Sequence, residues 1–211
     1  MKTIEVSEFG GPEVMNLVDR PDPIPNENQE LIEVTAIGVN YADTHQIENS
    51  YRVAQSLPLY PGLEVVGRTL SGRRVLASVA GGGYAQKAVA NKANMVDIPD
   101  EVSDEQALAM LVQGTTAWHI LKTMAHVQPG ESVVVHAAAG GVGTVSVQLA
   151  KMWGKANCSH LFKREIRVSD LPGRRCHGRC KVIRLEICPA RGKWWKADQY
   201  YFGDGRRQNF R

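Results

Sequence analysis

No cysteine occurs in the first 157 residues of this chain; Cys158, Cys176, Cys180 and Cys188 all lie beyond them. A thiolate metal centre is therefore excluded from the larger part of the molecule. Long apolar runs are missing too: nowhere do eighteen apolar residues follow one another, so no segment reads as a membrane-crossing helix. Met1-Lys2-Thr3-Ile4 opens straight into Glu5, with no apolar stretch behind a charged start. No export signal and no membrane partner are expected, and the predicted location is cytoplasmic. Aromatic residues make up only 7%, yet at 43% hydrophobic content 211 residues suffice for one large domain or two small ones.

The net charge of +3 conceals a split. Residues 1–154 carry 10 Lys and Arg against 17 Asp and Glu, whereas residues 155–211 carry 15 against 5. With every cysteine on the basic side, one chain holds two compositions that meet near Lys155.

The acidic part opens as short strands separated by turns. Strands are predicted over Lys2–Val6, Glu30–Ile37, Glu64–Thr69, Arg73–Val79 and Tyr84–Val89, with a proline-rich turn at Arg20–Pro25. Strands so short and closely spaced predict a compact β-rich domain of barrel-like character. The pattern changes after Pro99. Ser103 with Gln106 three residues on reads as a capping box opening a helix, and a second helix is predicted over Thr115–His126. Gln128-Pro129-Gly130 then turns the chain into Ser132–His136, whose β-branched run fits a buried parallel strand. Next come Ala137–Gly143 and a helical stretch, Thr144–Trp153, with Val145, Leu149 and Met152 on one face.

Strand, glycine turn and helix together open a dinucleotide-binding βαβ unit. Small residues let the backbone approach a pyrophosphate, and the N–H groups and positive end of the helix bind its charge. The spacing here is Ala138-x-Gly140-x-x-Gly143, with alanine in the first glycine position. By itself this pattern also fits a plain glycine turn between strand and helix.

Five segments narrow the choice: Gly38–Thr44, Tyr60–Glu64, Gly81–Ala85, Gln113–Ala117 and Val135–Gly143. In order and spacing they resemble the zeta-crystallin-like quinone oxidoreductases, the zinc-independent branch of the medium-chain dehydrogenase/reductases, over residues 1 to about 154. The resemblance implies a GroES-like β-barrel domain with its helical connection over 1–126, then the start of an incomplete Rossmann domain over 127–154. It further implies NADPH as cofactor, hydride transfer to a quinone or enone, and a homodimer for the full-length family. By the same resemblance Asn40, Asp43 and Tyr51 line the substrate cleft, Asn40 and Thr116 also meet the cofactor, and Gly140, Gly141, Val142 and Gly143 hold its pyrophosphate. No residue is assigned as acid or base. Read as bare residues, Asn40 and Asp43 equally fit turn hydrogen bonds after a strand, and Tyr51 and Tyr84 equally fit half-buried aromatics. His136 reads as a strand end, and His45, His119 and His126 are too scattered to predict a metal site.

Metal chemistry separates this branch from the zinc-dependent alcohol dehydrogenases. There a cysteine falls at the position of Asn40 and a histidine at that of Leu63; with neither present, no metal is expected.

Beyond Gly154 the family pattern calls for further βαβ units, each of about 30 residues, and residues 155–211 show no such periodicity. A frameshift accounts for this. Trp194-Trp195-Lys196 is encoded TGG TGG AAR, and moving the frame one nucleotide forward forces Gly-Gly-Lys or Gly-Gly-Arg. The same shift permits Leu-Glu-Met-Val-Gly-Gly-Lys-Ile-Phe across Phe202–Phe210 and Ser-Leu-Gly-Ala-Asp across Leu171–Arg175, segments resembling the later cofactor domain. Residues 155–211 are accordingly expected to be an out-of-frame, disordered tail on a truncated, inactive enzyme. Two other readings of the tail are weaker: Cys176-His177-x-x-Cys180 with Cys188 matches no common zinc spacing, and its basic, tryptophan-containing composition, which would suit nucleic acid, also arises out of frame. The readings left open are an oxidoreductase by descent, a nonfunctional fragment of a zinc-independent alcohol dehydrogenase-like or enoyl reductase, and an enzyme remnant with a basic nucleic-acid-binding tail.

Overall fold

A computed structural model of the chain describes residues 1–129 and 131–153, together with the backbone of His160–Leu161, Cys180–Ile183 and Gln199–Phe202. The described residues divide into two compact units at Val112/Gln113, where the sequence places its boundary at 126/127. The reason is packing. Leu121, Ala125 and Val127 share one apolar cluster with Val133, Val135 and Ala138, so the segment before the glycine turn is buried with it.

The first unit contains β1 (Lys2–Val6), β2 (Met15–Asp19), β3 (Gln29–Ile37), α1 (Tyr41–Ile47), β4 (Glu64–Thr69), β5 (Arg74–Ser78), β6 (Lys87–Asn91), β7 (Met95–Asp97) and α2 (Asp104–Ala109). β1 and β2 form an antiparallel hairpin. The other strands form a five-stranded antiparallel sheet in the order β6-β3-β4-β5-β7. β4 and β5 are buried on both faces, which is why Val65-Val66-Gly67 and Val75-Leu76-Ala77 run without polar alternation. One face sets Val65, Val75 and Ala77 against Ile32, Ala88 and Ala90; the other sets Val66 and Leu76 against Ile98 and Ala107 of the α2 region. Fully burying a side chain of this kind contributes about 1.5–3 kcal/mol. The predicted capping box is present: Ser103 Oγ accepts from the Gln106 N–H, and Gln106 Oε1 accepts from the Ser103 N–H.

The predicted strand Tyr84–Val89 is displaced to Lys87–Asn91. Gly83 and Tyr84 instead donate their N–H groups to the carbonyls of Gly62 and Pro61, while Ala85 bridges to Thr3 of β1. Those backbone bonds hold Gly83–Ala85 off the ladder and turn the tyrosine ring inward.

The second unit contains α3 (Thr115–Trp118), β8 (Ser132–His136), α4 (Gly141–Met152), β9 (His160–Leu161), β10 (Cys180–Ile183) and β11 (Gln199–Phe202). The helix expected over Thr115–His126 keeps α-geometry only through Trp118, and wide π-type turns follow over His119–Met124. β8 closes at His136, as expected of that histidine. It lies between β10 and β9, parallel to both, with β11 antiparallel on β10. Three short stretches of the basic tail thus stand as strands where the sequence places no regular structure. β8 offers two open edges of N–H and C=O groups, and Lys181-Val182-Ile183 and Tyr200-Tyr201-Phe202 are strong strand formers. The other residues of the expected tail, including Cys176, His177, Cys188 and the Trp194-Trp195 pair, lie outside the described residues.

Candidate functional site

Gly38 and Val39 carry the chain from β3 to Asn40, which is extended and serves as the N-cap of α1. Asp43, three residues on, turns its carboxylate back so that Oδ2 accepts the Asn40 N–H at 2.8 Å. The turn hydrogen bonds read from Asn40 and Asp43 are therefore those of a helix start, which places both side chains at its inner end. Both are buried, at 5% and 2% exposure.

Two residues from other strands complete the group. Glu64, the first residue of β4 and 1% exposed, accepts the Asn40 Nδ2–H on Oε1 at 2.9 Å and the Val112 N–H on Oε2 at 3.0 Å. The Tyr84 hydroxyl donates to Asp43 Oδ2 at 2.7 Å. Burial pushes the Glu64 carboxyl above the ordinary glutamate range; the Asn40 and Val112 donors pull it back, and the Asp43 charge adds to the rise. Burial, the bond to Asp43 and two nearby carboxylates push the Tyr84 phenol well above the tyrosine range. Asp43 Oδ1 is buried with no hydrogen-bond partner among the described residues. Neither Glu64 nor Tyr84 was singled out from sequence as a site residue. Glu64 stood within one of the five matching segments, but nothing in one dimension brings it to Asn40.

Tyr51 lies beyond the end of α1, 38% exposed, with its N–H donated to the His45 carbonyl at 3.1 Å. The same carbonyl accepts the Ser50 N–H, and the His45 ring stands edge-on to Tyr41 with centroids 4.7 Å apart. His45 thereby ties Tyr41 and Tyr51 to one turn of helix. Among the described residues no group of three or more His, Cys, Asp or Glu side chains is placed to hold a metal ion.

In the second unit Ala137 takes a left-handed conformation at φ 49° and leads into Gly140, the N-cap of α4. No side chain caps this twelve-residue helix, and Gly140 and Gly141 are exposed. Gly143 is buried against the turn: a Cβ there would overlap the Ala137 carbonyl oxygen and lie 2.7 Å from Ala138 Cα. Its missing side chain lets helix and turn pack in contact, the role of the third glycine in a dinucleotide-binding loop. Thr116 is half-buried on α3. The structure thus brings Asn40 and Asp43 together in one unit, and Gly140, Gly141, Val142 and Gly143 together in the other.

A curled antiparallel sheet in one unit, and strand, glycine turn and uncapped helix in the other, have the fold of a GroES-like domain and of the opening of a Rossmann domain. No family model matches the chain. In its matched part the chain is a homologue of zeta-crystallin-like quinone oxidoreductases. It is 41% identical over 163 residues to the quinone oxidoreductase of Lama guanicoe, covering 72% of this chain and 49% of that one. Against the human quinone oxidoreductase it is 39% identical over 166 residues, covering 73% and 50%. Among solved structures, the Thermus thermophilus quinone oxidoreductase, determined alone and with NADPH, superposes with a TM-score of 0.71 at 36% identity, covering 82% of this chain and 56% of that one. The Escherichia coli quinone oxidoreductase complexed with NADPH gives 0.70 at 32% identity, covering 76% and 51%. The chain spans about half the length of the curated relatives it matches.

Proposed function

We propose that this chain derives from an NADPH-dependent oxidoreductase that reduces quinones or related enones by hydride transfer, and that Asn40, Asp43 and Tyr51 form its substrate side. The observation that carries this reading is the uncapped N-terminus of α4 behind exposed Gly140 and Gly141, with Gly143 packed too closely for any Cβ. Such a helix start suits a pyrophosphate, because its N–H groups and positive end lack an internal acceptor. Gly140, Gly141, Val142 and Gly143 would hold that group, with Thr116 as a further cofactor contact. NADPH, when bound, supplies the hydride. The protein's part is to bind, orient and exclude water. The buried Asn40 amide, locked by Glu64, is a fixed dipole beside the substrate, and the Tyr51 ring offers an apolar face to a flat one. Quinone and enone acceptors need no Lewis acid, in keeping with Asn40 and Leu63 standing where zinc ligands would be required. The enzyme form is expected to be a cytoplasmic homodimer; no described helix is long and apolar enough to cross a membrane.

For the 211-residue chain itself, weak NADPH binding and no measurable quinone reduction are expected. Residues 155–211 carry no second glycine-turn unit with which to complete the bed for the adenosine half. The test is NADPH oxidation with a simple quinone, run on this chain and on a version with the frame restored by one nucleotide near codon 155. Turnover by the restored protein alone supports the reading. Equal rates from both overturn the inactivity, and a restored protein that reduces no quinone overturns the activity.

A further inference from the structure

Glu64 holds two donors with its two oxygens, and each donor comes from a different part of the chain: the Asn40 side-chain amide at 2.9 Å and the Val112 N–H at 3.0 Å. An ionised carboxylate only accepts hydrogen bonds, whereas a primary amide has one donating and one accepting end. Facing Glu64, the Asn40 amide therefore turns its NH2 end inward, while its carbonyl oxygen faces the Asp43 N–H of the capping box. Gly38 makes the approach possible, since a Cβ there would overlap the Glu64 side chain at Oε1, Cγ and Cδ. The buried carboxylate costs desolvation free energy, as the upward push on its proton affinity reflects, and packing alone would be served by an apolar residue at this place.

We infer that Glu64 is a positioning residue: it holds the NH2 end of the Asn40 amide in the substrate site, opposite the Asp43 N–H at the carbonyl end, and does not itself touch substrate. The inference rests on the reading of Asn40 as a substrate-side residue. It assigns a role to a residue that neither the composition nor the glycine-loop pattern points to.

The experiment follows the Asn40 side-chain amide of the full 211-residue chain by 1H–15N NMR while tetramethyl-1,4-benzoquinone is added; its ring has no free position for cysteine to attack. In the starting protein the Asn40 NH2 signals are expected well apart from those of exposed asparagines and shifted by the quinone. Glu64→Gln brings one donor against another; it is expected to move the Asn40 signals toward the exposed range, weaken the quinone response at least fivefold and lower the Tm by about 5 °C. The pair Glu64→Gln with Asn40→Asp reverses donor and acceptor across the same contact and keeps the number of carboxylates. It is expected to recover most of the Tm but not the quinone response, which is then read from the backbone amides of α1. Recovery of both shows that the quinone does not need the Asn40 amide and overturns the inference; so does a Glu64→Gln chain that loses Tm and quinone response while its Asn40 signals stay in place, the outcome of a purely structural role. So does a Glu64→Gln chain with unchanged Asn40 signals and an unchanged quinone response, which leaves the substrate reading intact. A quinone that leaves Asn40 and α1 unmoved in the starting protein overturns the substrate reading of Asn40, and the positioning role falls with it.

Discussion

The Tyr84 hydroxyl donates to Asp43 Oδ2 at 2.7 Å, and the other oxygen of that carboxylate is buried with no partner among the described residues. The hydrogen bonding of the Asp43 carboxylate among the described residues is thus concentrated on one oxygen, shared by Tyr84 and the Asn40 N–H. Tyr84→Phe keeps the ring and leaves the buried carboxylate with one donor fewer. A loss of about 2 kcal/mol is expected, the scale of a buried charged group deprived of a hydrogen bond. Urea unfolding reads it as a lower midpoint at unchanged slope. The last step of an alkaline tyrosine titration should also vanish, because burial and Asp43 hold the Tyr84 proton beyond the ordinary range. An unchanged midpoint would show that Asp43 finds another donor.

The glycine turn separates two substitutions that look alike in sequence. At Gly143 an added methyl group meets backbone at Ala137 and Ala138, which cannot yield as a side chain would. At Gly140 the nearest atom, the Ala137 carbonyl oxygen, lies at 3.3 Å, and the φ of −79° suits any residue. Gly143→Ala is expected to destabilise the second unit by about 1–3 kcal/mol, the usual cost of overpacking. Gly140→Ala should cost less than about 1 kcal/mol. Thermal melts of the two variants side by side decide it, and equal losses would mean that α4 does not pack on the turn as described.

Asp104, the first residue of α2, links three elements. Its Oδ2 accepts from Thr35 Oγ1 of β3 at 2.7 Å, and its Oδ1 accepts from Arg74 Nε of β5 at 2.8 Å. The Thr35 hydrogen bond first, and then the Arg74 guanidinium, hold its carboxyl below the ordinary aspartate range. Because the folded value is the lower one, this contribution is complete above the ordinary aspartate value. It is lost as the pH falls through the folded one. Asp104→Asn should therefore cost about 1 kcal/mol near neutrality, a figure kept small by partial exposure and screening. The difference from the starting protein should shrink steadily in acid. A difference that is constant from pH 7 to pH 2 would remove the ion pair as its cause.

Local chemistry made several elements legible in advance. β1 and β4 fall at the predicted residues because their bounds are punctuated and their apolar content suits strands. The capping box at Ser103 and Gln106 is a contact across three residues, so it is written in consecutive sequence. The same holds for the turn from β8 into α4, where glycine spacing and helix start lie within one short stretch. α1 was not legible as a helix, since seven residues beginning Tyr-Ala-Asp-Thr carry no period long enough to detect. β10 was not legible either, because its pairing with β8 joins Cys180–Ile183 to Ser132–Val135 across a long separation.

What the amino-acid sequence determined by itself was therefore whatever depends on near neighbours: strand and helix starts, the glycine turn, the change of composition near Lys155, and the family likeness of the first 154 residues. Tertiary structure alone decided the buried group of Asn40, Asp43, Glu64 and Tyr84. Its members come from the start of α1, the start of β4 and the segment before β6, and they meet only because the antiparallel sheet and the backbone bonds of Gly83 and Tyr84 to Pro61 and Gly62 bring those places together. Burial then gives the group its chemistry. A carboxylate, an amide and a phenol that would be solvated and interchangeable on a free chain acquire fixed partners and displaced proton affinities once water is excluded, because only hydrogen bonds within the fold remain to satisfy them.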